Sequence, residues 1–207
     1  MSLVLASASP RRRELLSRLV VDFTVLPVDV VEDVTGGRDP QIVARRIARE
    51  KAEAARLLDL SSAILTADTV VWHDGRAFGK PSDAEEARCM LTGLRAQTHT
   101  VVTAVGLMPA GKRSALIRHP VTRVSMRDYS DAEIEASILR GDPFDKAGGY
   151  AIQDSVLAPV ESFEGCYCNV VCLSLLATIE LLQKAGVEMS AVPDLLPQCA
   201  KCPLGSR

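Results

Sequence analysis

The sequence predicts an α/β protein built on a mixed sheet with flanking helices, and three observations carry that reading. Apolar runs of strand length alternate with amphipathic stretches of helical period. Helix starts carry their own signals, as where Ser9 precedes Pro10. In the second half, strands follow one another more often than a doubly wound sheet allows. At 207 residues the chain is long enough to bury a sizeable core in one domain, or in one domain with two lobes. We divide it into a domain over 1–186 and a C-terminal tail over 187–207.

Leu3 to Ala6 is a short apolar run typical of a buried strand, and Ser9 then caps a helix over about Pro10–Leu19 with proline at its first position. Phe23–Val31 is extended and Val-rich, interrupted by Pro27, and leads through Glu32 and Asp33 into a polar turn. Pro40 to about Leu58 is helical, with Ile42, Val43, Ile47, Ala48, Ala52 and Ala55 recurring at helical spacing. Ala63–Trp72 is the most buried-looking strand, closed by an Asp74-Gly75 hairpin turn. Ser82 or Asp83 caps a helix to Leu94. Thr98–Met108 and a long Ser114–Met126 are strands, and Ser130 with Glu133 opens a helix to Leu139 as a capping box. Gly141–Gln153 is a loop. A strand pair over Leu157–Ser162 and Cys166–Leu173 precedes a last helix, about Leu175–Ala185. Beyond Gly186 three prolines and no periodic pattern mark the tail.

A net charge of −2 and only one Trp, three Tyr and four Phe exclude a general nucleic-acid binder and single-strand stacking platforms. No apolar stretch reaches membrane-span length and the N-terminus has no signal-peptide pattern, so a cytoplasmic location is expected, without membrane or nucleic-acid partners. The six cysteines are then expected to be mostly reduced, with Cys89 in the core. The Cys199/Cys202 pair is expected to carry free thiols; a four-thiolate zinc site with Cys166 and Cys168 is the alternative, which no motif spacing supports.

Four features carry chemistry. Arg11, Arg12 and Arg13 fall in the first turn of a helix, where the helix dipole disfavours cations. Together with Ser7, Ser9 and free backbone N–H groups, they suit a phosphate bound at that end. Asp68 interrupts an apolar strand and needs an ion-pair partner, a metal or solvent. Lys80 sits between Gly79 and Pro81 at a strand-to-helix turn. Asp145 to Gln153 joins charge to a Gly pair, which lets backbone approach a ligand closely.

Ser7-Ala-Ser-Pro-Arg-Arg12, Ala67-Asp-Thr69, Gly79-Lys-Pro81, Met90–Leu94 with His99–Val105, Asp145–Gln153 and Tyr167-Cys-Asn-Val-Val171 occur in this order. Over roughly Leu3–Ala185 the chain resembles the Maf family of nucleotide pyrophosphatases. The resemblance implies a curved mixed sheet with two lobes around a deep cleft, as in inosine-triphosphate pyrophosphatases. It implies hydrolysis of nucleoside triphosphates to monophosphate and pyrophosphate, and the loop ending at Gln153 is similar to that of the dTTP/UTP-cleaving branch. A homodimer is implied by resemblance alone. A non-hydrolytic regulator of cell division and septum formation is the alternative.

The roles that follow require a divalent metal, Mg²⁺ or Mn²⁺, and cations around the phosphates. Asp68 would be a metal ligand or the base orienting the attacking water, with Glu32 as second acidic ligand and Asp33 its competitor. Lys51 and Lys80 would stabilise triphosphate charge, while Ser7, Arg11 and Arg12 hold its oxygens. Thr69 and Gln153 resemble the branch's selectivity residues, Lys146 is a lesser contact, and Arg13 faces solvent. The chain departs from the family's Gly-Leu-Pro after Asn-Val-Val, having Cys172-Leu-Ser174 instead. Cys172 substitutes acceptably there if that backbone position does not need positive φ.

Overall fold

In a computed structural model, residues 2–20, 22–31, 33–34, 39–191 and 194–203 are described. The chain runs β1 (Leu3–Leu5), α1 (Pro10–Ser17), β2 (Thr24–Val25), α2 (Pro40–Leu58), β3 (Ala63–His73), β4 (Arg76–Phe78), α3 (Ala84–Leu94) and β5 (Thr98–Met108). It continues through β6 (Leu116–Arg118), β7 (Val121–Met126), α4 (Asp131–Leu139), β8 (Val160–Glu164), α5 (Tyr167–Val171) and α6 (Leu175–Ala185). One sheet has the order β2-β1-β3-β5-β7-β8, with β4 beside β3 and β6 beside β5. β1 pairs in parallel with β2 and β3, and the other pairings are antiparallel, so the sheet is mixed.

The site follows from where the two long central strands lose their outer partners. β1 pairs with residues 63–65 of β3 and β4 with residues 71–73, which leaves 66–70 without a strand on that edge. On β5, β6 takes residues 105–107 and β7 takes residues 98–102. Asp68 and Thr69 lie opposite Ala104 and Thr103 in the β3–β5 register, so both gaps meet at the middle of the sheet.

Alternation along β3 then assigns faces. Ala63, Leu65 and Ala67 join a core with Leu15, Leu16 and Leu181 of α1 and α6. Val71 and Val101 join a second core on the same side with Leu91, Leu94 and Ile134 of α3 and α4. Val70, Val102 and Ala104 face α2 through Val43, Ala44 and Ile47. The two same-side cores form the two lobes, with Thr69 and Thr103 between them.

The capping chemistry is as the sequence indicates: Ser9 Oγ accepts from Arg12 N, Asp83 rather than Ser82 caps α3, and Ser130 and Glu133 form the capping box of α4. Asp74 and Gly75 both take positive φ, 47° and 73°, as a two-residue turn between twisted strands requires.

Five expectations are corrected. The extended stretch at 23–31 pairs with the sheet only at Thr24–Val25, because β1 offers it three residues. The long strand over 114–126 is broken into β6 and β7 around Pro120, whose ring removes a ladder N–H. The loop over 141–153 contains 3₁₀ turns at Asp142–Asp145 and Ala147–Gly149. Cys166–Leu173 is not a strand but α5 and its flanks. Cys89 is exposed, on the outer face of α3.

Cys172 also departs from its condition: it sits at φ 146°, ψ 1°, a region costly for a residue with a side chain, typically by about 1–3 kcal/mol. Its carbonyl, turned by that conformation, accepts from Arg12 Nε at 3.2 Å. The C-terminal segment forms a 3₁₀ turn at Pro197–Lys201, and Cys199 and Cys202 are buried against the α1/α6 core. Among the described residues no helix is long and apolar enough to cross a membrane.

Candidate active site

A cleft of about 630 Å³ opens over the paired gaps in β3 and β5. Ser7, Arg11, Arg12, Lys51, Asp68, Thr69, Lys80, Lys146 and Gln153, singled out from five separate stretches of sequence, all line it. Arg13 lies exposed outside it. Glu32 lies outside the described residues. The backbone carbonyl of Asp33 accepts a hydrogen bond from Arg46, which ties that segment to α2.

The cradle is built on the turn into α1. Ser9 N–H donates to Ser7 Oγ at 3.2 Å, and no acidic residue occupies the first helical turn. The N-terminal partial charge of α1 is therefore available to an anion in the cleft. Arg12 is held across the floor: Nε donates to Cys172 O, Nη1 to Ser7 Oγ at 3.2 Å and Nη2 to Thr69 Oγ1 at 3.4 Å. Arg11 instead reaches the rim, donating to Asp145 Oδ2 at 2.9 Å and to Asp145 O at 3.0 Å. Burial alone would raise the Asp145 carboxyl, but Lys146 and Arg11 outweigh it and hold it below its usual range. Its side chain is 60% exposed, so an incoming phosphate competes with a pair worth at most about 1 kcal/mol.

Asp68 has found an ion-pair partner. Lys51 Nζ on α2 lies 2.7 Å from Asp68 Oδ1, with both side chains nearly inaccessible at 7% and 5% exposure. Both residues line the cleft, so the pair is a charged element in a low-dielectric wall that meets the ligand space. Lys80 stands exposed at the mouth. Its loop is tied to the glycine-rich loop by Gly148 N–H donating to Gly79 O at 2.9 Å. Gly148 takes φ 73°, and a Cβ there would come within 3.1 Å of Val71, so the close approach of this loop to β3 needs glycine.

Two groups of supporting residues went unassigned in the sequence reading. Asn169 plugs the notch between β6 and β7. Its Oδ1 accepts from Thr103 N at 2.7 Å, and its Nδ2 donates to Val101 O and Thr122 Oγ1, both at 2.9 Å. Thr103 Oγ1 donates to Asn169 O at 2.7 Å and lies 2.9 Å from Thr69 Oγ1, so a continuous polar chain runs from Asn169 to Arg12. The signal was a threonine in an apolar strand, one residue from the position opposite Asp68. The second group is His99 and Tyr150, whose Nε2 and hydroxyl are 2.6 Å apart beneath the cleft.

His99 yields a pH prediction. Burial, aided by the His73 charge, lowers its pKa from 6.5 to about 4. The unfolded chain therefore binds a proton between pH 6.5 and 4 that the folded chain refuses. Stability is full above pH 6.5 and falls as pH drops through that window, by roughly 3 kcal/mol from this group. Urea unfolding at pH 7 and pH 4 should show His99→Gln losing about 3 kcal/mol less than wild type. Equal losses would refute the assignment.

A divalent cation fits the donor set in a limited sense. Among the described residues no three His, Cys, Asp or Glu side chains are grouped to hold a metal. Mg²⁺, however, is commonly held by one or two carboxylates plus substrate phosphates and waters, and Asp68 offers such a carboxylate.

Residues 2–185 match the family model described as Maf-like protein. The chain is 52% identical over 208 residues to a protein of Thermomicrobium roseum named dTTP/UTP pyrophosphatase, across 99% of this chain and 94% of that one. It is 45% identical over 191 residues to the protein of that name from Chlorobium luteolum, covering 90% of this chain and 98% of that one. For Pelotomaculum thermopropionicum the identity is 40% over 184 residues, covering 89% and 96%.

Proposed function

The chain belongs to the Maf family, and on that premise we propose that it hydrolyses dTTP and UTP to the monophosphate and pyrophosphate. The observation that carries this reading is one cleft in which the α1 cradle and Arg12 face the buried Lys51–Asp68 pair. A phosphate binder alone has little use for a carboxylate there, because it repels the ligand unless it takes part in chemistry.

The triphosphate lies against the α1 N-terminus, its oxygens held by Ser7, Arg11 and Arg12. Water attacks the α-phosphorus, the Pα–O–Pβ bond breaks and pyrophosphate leaves. Asp68 orients that water and accepts its proton, or serves as metal ligand; Lys51 and Lys80 offset charge growing on the phosphoryl oxygens. Asp68, with Glu32 as second acidic ligand, would hold Mg²⁺ or Mn²⁺, which supplies charge neutralisation and a more acidic water. Gln153 presents both an amide donor and an acceptor, which match the carbonyl and N–H edge of uracil or thymine, with Thr69 and Lys146 as further contacts.

The test is incubation with Mg²⁺ and each common triphosphate in turn. Pyrophosphate and monophosphate should appear in equal amounts, at least about tenfold faster from dTTP and UTP than from purine triphosphates, a margin of about 1.4 kcal/mol. Nucleotide binding with no turnover of any substrate would instead make the protein a nucleotide-responsive regulator.

A further inference from the structure

Four cysteines take no part in the chemistry above, yet they converge. Cys166 precedes α5 and Cys168 lies in its first turn; Cys199 lies in the 3₁₀ turn Pro197–Lys201 and Cys202 follows it. Cys168 Sγ and Cys199 Sγ are 3.3 Å apart, and Cys168 and Cys202 lie close enough to Cys166 to pull its thiol pKa down. All four are buried, at 3%, 0%, 6% and 3% exposure, and none is in a disulfide. Two close pairs, Cys-x-Cys and Cys-x-x-Cys, thus meet from segments some 30 residues apart.

We propose that Cys166, Cys168, Cys199 and Cys202 form a structural zinc site that fastens the C-terminal segment to α5. Thiols make only weak hydrogen bonds with one another, whereas their thiolates are strong ligands for a soft cation. Four thiolates around Zn²⁺ form a closed tetrahedral site. Binding releases the thiol protons to water and involves no change of oxidation state.

A Zn–S bond of about 2.3 Å sets a tetrahedral S···S edge of about 3.8 Å. The Cys168–Cys199 edge is therefore shorter than in a loaded site and must open by about half an ångström. Among the described residues no three His, Cys, Asp or Glu side chains are already placed to hold a metal, so loading requires these sulfurs to rearrange.

The surroundings suit sulfur anions. Ser174 Oγ lies 3.5 Å from the Cys166 sulfur, the Asn169 backbone N–H favours the Cys166 thiolate, and the Arg18 cation acts on Cys199. Arg18 also pairs with Asp194 at 2.6 Å, which brings the same segment back to α1. The site would hold α5, whose Asn169 supports Thr103 and whose C-terminal Cys172 carbonyl fixes Arg12. None of the four cysteines lines the nucleotide cleft.

The test is metal content of the full chain, expressed with zinc and dialysed without chelator. About one zinc per chain is expected, with loss of at least tenfold in the Cys199→Ser/Cys202→Ser double variant. In Co²⁺-loaded protein, thiolate-to-cobalt charge-transfer bands should appear for wild type and vanish in the variant. That signature separates the site from oxygen ligation at Asp68. A strong chelator should lower the wild-type melting temperature and leave the variant's unchanged. Zinc below about a tenth per chain with all six thiols titratable, or a Cys168–Cys199 disulfide in the peptide map, would overturn the proposal.

Discussion

Asp68→Asn is expected to lower kcat for dTTP and UTP by about 10³-fold, the middle of the range for a positioned acid–base group. It is also expected to destabilise the fold by roughly 3–5 kcal/mol, because Lys51, 2.7 Å away and nearly inaccessible, is left facing a neutral amide. Loss of activity in this variant alone would thus confound chemistry with structure. The double variant Lys51→Met/Asp68→Leu separates them. Replacing a buried ion pair by apolar groups is often neutral or stabilising, so most of the lost stability should return while activity does not. Pyrophosphate release and urea unfolding on the three proteins measure both quantities. A double variant that regains activity, or an Asp68→Asn enzyme with near-normal kcat, would remove Asp68 from the reaction.

Much of this site was legible before any coordinates because its parts are set by local chemistry. Ser9-Pro10 dictates where α1 starts, and hence where its dipole and arginines point. Asp68 announced itself by cost: a carboxylate in a run of buried residues must be paired, and it is. The parts that were not legible depend on tertiary context. Tyr167-Cys-Asn-Val-Val171 has the β-branched, apolar character of a strand, and a run this short has no period to distinguish helix from strand. It becomes α5 because β8 completes the edge of the sheet and Asn169 must reach the notch at Thr103. Within 114–126 the alternation of apolar residues continues on both sides of Pro120 and masks the break that its missing N–H imposes. Cys89 shows the same limit on a helix: a thiol at a plausible spacing lies outward once α3 docks through Ala87, Leu91 and Leu94. For the last turn of chain the sequence offers Cys166 and Cys168 as partners of Cys199 and Cys202, with free thiols as the other reading, and only the fold brings the two pairs together.

The three arginines of α1 make the sharpest test of how fold becomes function, because they share a charge and differ in how they are held. Arg12 is fixed by three acceptors, one of them the carbonyl that Cys172 presents at a strained φ of 146°. Arg11 is half-buried and engaged with an exposed carboxylate at the rim, and Arg13 is in solvent. Preorganised charge aimed at a developing oxyanion is worth about 10²–10³ in kcat, whereas a mobile cation contributes mainly to binding. Arg12→Ala is therefore expected to lower kcat/KM by about 10³-fold, chiefly through kcat. Arg12→Lys should recover at most about tenfold of it, since an ammonium restores the charge but not the planar fork. Arg11→Ala should cost about tenfold and act on KM, and Arg13→Ala should leave both constants within about twofold. Steady-state kinetics with UTP decide this. If Arg11→Ala and Arg12→Ala lose the same activity in the same constant, the cradle works by summed charge, and the floor built by Ser7, Thr69 and Cys172 has no part in catalysis.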